Sequence, residues 1–132
     1  MFSQLSPRLD ALIVAPADQP LIDAQDIAAL MGAFKKRGDA SVVVPRVRAE
    51  GGSDEAGEPV IFDAALRDAW AADDAAADTR PWWQAHPERV RWLDTDSRRF
   101  GFDIDTPEDL QRFTARTGHA LRWPRAYETQ TA

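Results

Sequence analysis

Short unbroken apolar runs alternate with helix-period stripes along this chain, and that alternation limits the fold more than any single residue does. Ala11, Leu12, Ile13, Val14 and Ala15 follow one another without a polar residue and are closed by Pro16. A run with no polar face reads as a strand covered on both sides, the habit of parallel sheets. Asp23 then stands as an N-cap with Asp26 in the N3 position, a variant of the capping box. Ile27, Leu30, Met31 and Phe34 follow at the i, i+3, i+4, i+7 spacing of an apolar helix stripe. Lys35, Lys36 and Arg37 fall in the last turn, where the helix dipole favours cations, and Gly38 suits the position past the end.

The pattern continues with a second strand over 41–45, a long mobile polar loop over 46–57 with three glycines, and a third strand at Val60, Ile61 and Phe62. Asp63 caps a helix with Leu66, Ala69 and Trp70 on one face, and the Ala/Asp run over 71–78 frays it. Thr79 and Pro81 start a short helix through Trp82 and Trp83, and His86, ahead of Pro87, caps its C-terminal end. Val90 and Trp92 alternate with Arg91, which suggests a half-wet strand near an edge. A last strand is predicted over 100–104. Thr106, Pro107, Glu108 and Asp109 then supply cap, N1 proline and first-turn acids for a helix that ends at Gly118. Strands alternating with helices in this order predict a three-layer α/β architecture with a mainly parallel sheet. A length of 132 residues fits one domain, with a polar tail over 119–132.

Composition removes several function classes. Sixteen basic against twenty-two acidic residues give a net charge of −6, a poor match for nucleic acid or an anionic membrane. The only lysines are Lys35 and Lys36, and cysteine is absent, which excludes a disulfide framework, a thiolate metal site and a cysteine nucleophile. No apolar run approaches the roughly 18 residues that a membrane span needs. The stretch over 11–15 is too short and wrongly flanked for a signal peptide, so the expected location is the cytoplasm. No Ser/His/Asp arrangement or metal-binding histidine pair stands out.

Ligands of open α/β sheets gather outside the carboxyl ends of the strands. That rule directs attention to Asp18 after the first strand and to Asp103 and Asp105 near the last one. Each also has a plain structural reading: Asp18 is an acid in a turn ahead of Pro20, and Asp103 and Asp105 precede a helix whose dipole favours negative charge.

Three stretches in this order resemble the MobA-like NTP transferase family, specifically the molybdenum cofactor cytidylyltransferases. The first is Leu12-Ile13-Val14-Ala15-Pro16-Ala17-Asp18-Gln19-Pro20-Leu21, similar to an apolar strand ending in Gly-Asp-Gln/Met-Pro. The second is Gly57-Glu58-Pro59-Val60-Ile61-Phe62, similar to Gly-Asn-Pro-Val-hydrophobic-Phe. The third is Asp103-Ile104-Asp105-Thr106-Pro107-Glu108-Asp109-Leu110, close to the family's closing motif, and His86-Pro87-Glu88-Arg89-Val90 adds to the likeness. The resemblance runs over about 9–113. It implies a glycosyltransferase-A-like, Rossmann-related nucleotidyltransferase fold lacking its N-terminal strands. It also implies transfer of CMP from CTP to a pterin phosphate, with nucleoside triphosphate and a molybdopterin-type substrate as ligands. Carried over, Asp18 and Asp103 would hold Mg²⁺, and Gln19, Pro20, Gly57, Pro59 and Asp105 would line the substrate site.

Departures from the family pattern define a rival reading. The sequence holds no Leu-Ala-Ala-Gly-type glycine-rich loop with its Arg and Lys, the part that would cradle phosphates. Glu58 replaces the motif's Asn, and Glu50, Asp54 and Glu55 precede it, the wrong sign beside a polyanion. A non-catalytic binding or scaffolding module derived from the family is therefore the alternative. The same departures predict that the first strand lacks a neighbour, so that a second copy or a complementary chain covers its edge.

Overall fold

A computed structural model describes residues 6, 8–48, 51–67 and 79–121. The readings made above for Glu50, Ala69, Trp70 and the 71–78 run lie outside them. The chain divides into two compact units, Met1–Phe102 and Asp103–Ala132.

The first unit is built on a five-stranded sheet. Its elements are β1 (Ala11–Val14), α1 (Ala24–Lys35), β2 (Val42–Val47), β3 (Glu55–Ala56), β4 (Val60–Asp63), α2 (Arg80–Ala85) and β5 (Val90–Thr95). β2 is the hub: it pairs with β4 and β3 antiparallel and with β5 parallel, and β1 lies outside β4, antiparallel to it. Among the described residues the sheet is therefore mixed, with one parallel pair, and the expectation of a mainly parallel sheet is corrected. Burial on both faces, not strand direction, explains the unbroken apolar runs. Val42, Val44, Val60 and Phe62 pack on one face with Trp83 of α2. Val43 and Ile61 point to the other face, against Leu30 and Phe34 of α1 and Phe100. Period-2 alternation on β2 and β4 thus feeds two cores, and the layering is helix, sheet, helix.

Three readings of the sequence are adjusted here. The capping box at Asp23 and Asp26 forms in both directions, each side chain accepting a backbone N–H of the other at 3.0 Å. The buried line of α1, however, is Asp26, Leu30 and Phe34, a step of four, and Met31 faces out at 45% exposure. The loop predicted over 46–57 is drawn into the sheet at both ends, with Arg46 opposite Ala56 and Val47 opposite Glu55. Between Val43–Ile61 and Arg46–Ala56, three steps on β2 match five on the β3–β4 side, so the Gly57–Pro59 stretch carries two residues more than the ladder needs and bulges there. The strand predicted over 100–104 does not form. Arg98–Gly101 is a turn of 3₁₀ helix, and 102–105 joins no strand. Phe100 is apolar because it fills the α1-side core at 2% exposure, not because it belongs to a ladder. Asp63 begins a 3₁₀ turn, Ala64–Leu66, with its side chain on the Ala65 N–H.

His86 caps α2 as expected: its Nδ1 donates to the Trp82 carbonyl at 2.8 Å and its ring stacks on Trp82 with centroids 4.4 Å apart.

The second unit contains α3 (Pro107–Thr117). Thr106 and Asp109 form a reciprocal capping box, and Gly118 closes the helix at φ +74° with its N–H on the Thr114 carbonyl. That left-handed position is one that glycine occupies without a Cβ penalty. No helix of the described residues is long and apolar enough to cross a membrane.

Candidate functional site

The turn after β1 carries the first candidate motif. The strand ends at Val14, and a turn follows in which Asp18 is half-buried, Gln19 buried and Pro20 exposed. Gln19 is buried at 9% exposure and its Nε2 donates to the Phe100 carbonyl at 2.9 Å. The same carbonyl accepts the Glu58 N–H at 3.0 Å. One oxygen therefore ties together the turn at Asp18, the bulge at Gly57–Pro59 and the 3₁₀ turn at Phe100.

Gly57 is at this knot for steric reasons. A Cβ on it would lie 2.7 Å from the Phe100 carbonyl oxygen and 3.1 Å from the Phe100 Cβ. Its N–H also closes the ladder onto the Pro45 carbonyl at 2.8 Å. Pro59 follows a cis peptide bond and is fully buried. Of the residues expected to line a substrate site, Gln19, Gly57 and Pro59 are thus set into the protein interior, where they hold the turn and bulge in place. Glu58, whose charge opposed a phosphate site, is 3.5 Å from the Arg80 guanidinium across the start of α2, so its charge is partly balanced.

The 3₁₀ turn is held from its other side by charge. Arg99 donates through Nε and Nη2 to the two oxygens of Asp26 at 2.9 and 2.7 Å. Asp26 is 3% exposed, and the fork from Arg99 lowers its pKa against the opposing effect of burial. Its carboxylate thereby serves both the α1 capping box and the Phe100 turn.

Asp18 is different. It is half-buried, and its Oδ1 is buried with no hydrogen-bond donor among the described residues; the Gln19 Oε1 and Ser97 Oγ are in the same state. A buried carboxylate oxygen without a donor or cation is costly, so it marks a place where a positive group fits.

In the second unit, Asp103 and Asp105 are both exposed and can bring carboxylate oxygens within 4.8 Å of each other. Asp105 is fixed by Asp109, whose Oδ2 accepts the N–H groups of Asp105 and Thr106, each at 3.1 Å. Those contacts, led by the Asp105 N–H and joined by Thr106 and Arg112, lower the Asp109 pKa. The cap of α3 thus also orients the acidic loop ahead of it.

The sequence pointed to the acids and the motif glycine as candidates but did not identify Phe100 as the shared acceptor or Arg99 as the partner of Asp26. One signal was available: an aspartate within an apolar helix stripe needs a cation, and Arg98 and Arg99 are adjacent to a buried Phe.

The mixed sheet covered on both faces belongs to an α/β nucleotidyltransferase fold, as its likeness to solved structures shows, two of them in particular. One is the 4-diphosphocytidyl-2C-methyl-D-erythritol synthase from Anaerococcus prevotii DSM 20548, at a TM-score of 0.69 and 13% identity over 89% of this chain and 63% of its own. The other is the Mycobacterium tuberculosis rv0371c homolog from Mycobacterium sp. strain JC1, at a TM-score of 0.65 and 22% identity over 86% and 53%. The chain therefore spans less than two thirds of either neighbour. A model of the MobA-like NTP transferase domain matches residues 2–90, and the chain belongs to that family. The match includes the motifs at Asp18 and Gly57 and stops before Asp103. Among curated proteins none matches the sequence significantly.

Proposed function

We propose that this chain binds a nucleoside triphosphate with Mg²⁺ as part of a nucleotidyltransferase, with CTP and a molybdopterin-type pterin phosphate as the substrates. The observation that carries this reading is the buried, donorless Oδ1 of Asp18 in a family built to handle nucleotides. Mg²⁺ is commonly held by one or two carboxylates together with phosphates and water. Asp18 would be one such carboxylate, and Asp103, with Asp105 beside it, the source of the second. When bound, the ion would neutralise charge on the phosphoryl oxygens. The chain's own part is to hold Asp18 rigidly through the Gln19–Phe100 bond.

Calorimetric titration of the chain with CTP, GTP and ATP, each with Mg²⁺ and with EDTA, tests the proposal. Metal-dependent binding that Asp18→Asn abolishes is the expected result. Equal binding by that variant rejects the role of Asp18.

A non-catalytic module derived from the family is the second reading, favoured by Glu58 in place of the motif's Asn and by the acids Asp54 and Glu55 exposed before it. Nucleotide binding without transfer, in the presence of a pterin phosphate acceptor, would select it. We also propose that β1, which pairs with β4 on one side among the described residues, takes a strand from a second copy or a complementary chain on the other. A monomer in sedimentation at high concentration would oppose this.

A further inference from the structure

Two consecutive residues, Asp18 and Gln19, each leave one buried side-chain oxygen with no donor among the described residues. The orientation of the Gln19 amide is chemically determined. Phe100 presents a carbonyl, which only accepts, so the amide nitrogen must face it and the amide oxygen must lie on the opposite branch. With the nitrogen engaged and the side chain 9% exposed, Oε1 is a fixed acceptor and not a freely rotating one. The carbonyl cannot release it cheaply, because it also accepts the Glu58 N–H and sits against Gly57.

Asp18 and Gln19 are consecutive, and a donorless carboxylate oxygen together with a donorless neutral acceptor on the following residue calls for a ligand that is positive and also carries O–H or N–H donors. A hydrated divalent cation meets both demands, since a small ion such as Mg²⁺ keeps several of its waters when bound. We infer that Gln19 is a positioning residue: its Oε1 accepts a hydrogen bond from a water of the cation held at Asp18, while its Nε2 locks the turn to Phe100. This rests on the reading of Asp18 above. Groups that orient the waters and ligands of a metal commonly change its affinity by about 10- to 100-fold when lost.

The test is titration of the full chain with Mn²⁺, read by calorimetry and by the loss of the free-ion paramagnetic resonance signal, alongside thermal unfolding without metal. Gln19→Met removes both bonds of the amide. Gln19→Glu removes the donor to Phe100 and keeps an oxygen. Both variants are expected to melt below the parent. Gln19→Met should bind Mn²⁺ about tenfold more weakly, and Gln19→Glu at least as tightly as the parent. A purely structural Gln19 would make both lose affinity in step with their melting temperatures, and that result overturns the inference. Should Gln19→Met fail to fold, weaker binding by Gln19→Glu than by the parent overturns it alone. Asp18→Asn separates the two readings: if it binds Mn²⁺ as the parent does, the Asp18 site itself is wrong. If it loses binding while Gln19→Met retains it, only the role of Gln19 falls.

Discussion

Arg99 grips both carboxylate oxygens of Asp26, at 2.9 and 2.7 Å, and so ties the N-terminus of α1 to the turn that presents Phe100. The aspartate side chain is 4% exposed and the arginine side chain 39%, so water screens only one end of the pair. Replacing Arg99 with Met strands a buried carboxylate and should destabilise the protein by about 1–3 kcal/mol, the cost of leaving a buried polar group unsatisfied. Urea denaturation measures it, and a loss no larger than that of an exposed control such as Arg89→Met would contradict the assignment.

Acid should remove the same contribution. The folded-state pKa of Asp26 is lowered, chiefly by Arg99, and that of Asp109 is lowered, chiefly by the Asp105 N–H. A depressed carboxylate stabilises fully above its unfolded value near 4, and loses that contribution as pH falls through the folded value. Melting temperature should therefore hold from pH 7 to about 5 and drop below about 4. Asp26→Asn should melt lower at pH 7 and show a shallower acid drop. Parallel curves for parent and variant would count against the sign worked out here.

Asp18 predicts the opposite sign. Its Oδ1 has no donor among the described residues, so replacing the carboxylate by an amide breaks no hydrogen bond of that oxygen. Without divalent cations, Asp18→Asn should be as stable as the parent or more stable, by up to about 1 kcal/mol. A clear loss of stability in metal-free buffer would show that the carboxylate has a structural partner.

Gly57→Ala places a methyl 2.7 Å from the Phe100 carbonyl oxygen, a backbone atom that cannot swing aside. Overpacking of this kind costs about 1–3 kcal/mol. Gly32→Ala, on an exposed helical site with nothing within 4 Å, is the control and should be neutral or stabilising. Thermal unfolding of the two variants side by side decides the matter.

Thr106→Ala removes the side-chain acceptor for the Asp109 N–H at 3.2 Å. Loss of such a cap costs about 1 kcal/mol. Amide hydrogen exchange in the first turn of α3 should speed up, while exchange in β2 stays unchanged. Equal acceleration in both would mean that the cap does more than hold its own helix.

Legibility followed distance along the chain. The capping boxes at Asp23 and Thr106, the stop at Gly118, the His86 cap and the membership of β1, β2 and β4 in a two-faced sheet all depend on residues a few positions apart, and periodicity and side-chain chemistry revealed them. The direction of those strands was not readable, because an apolar run reports coverage on both faces and is silent about which neighbour supplies the hydrogen bonds. The 3₁₀ turn at Phe100 reads as a strand in the sequence for the same reason: burial in a core and membership of a ladder leave the same apolar signature.

The candidate site divides along the same line. That Asp18, Gln19 and Gly57 fall in stretches resembling motifs of the family could be read from the sequence, and the family match covers all three. That Gln19 and Gly57 meet at one carbonyl of Phe100 could not, since Gln19 lies 81 residues from its acceptor. Local chemistry determines caps and stripes because both partners travel together in the chain. A bond between distant residues exists only once the packed sheet has brought them side by side, so its partner was decided by tertiary structure alone.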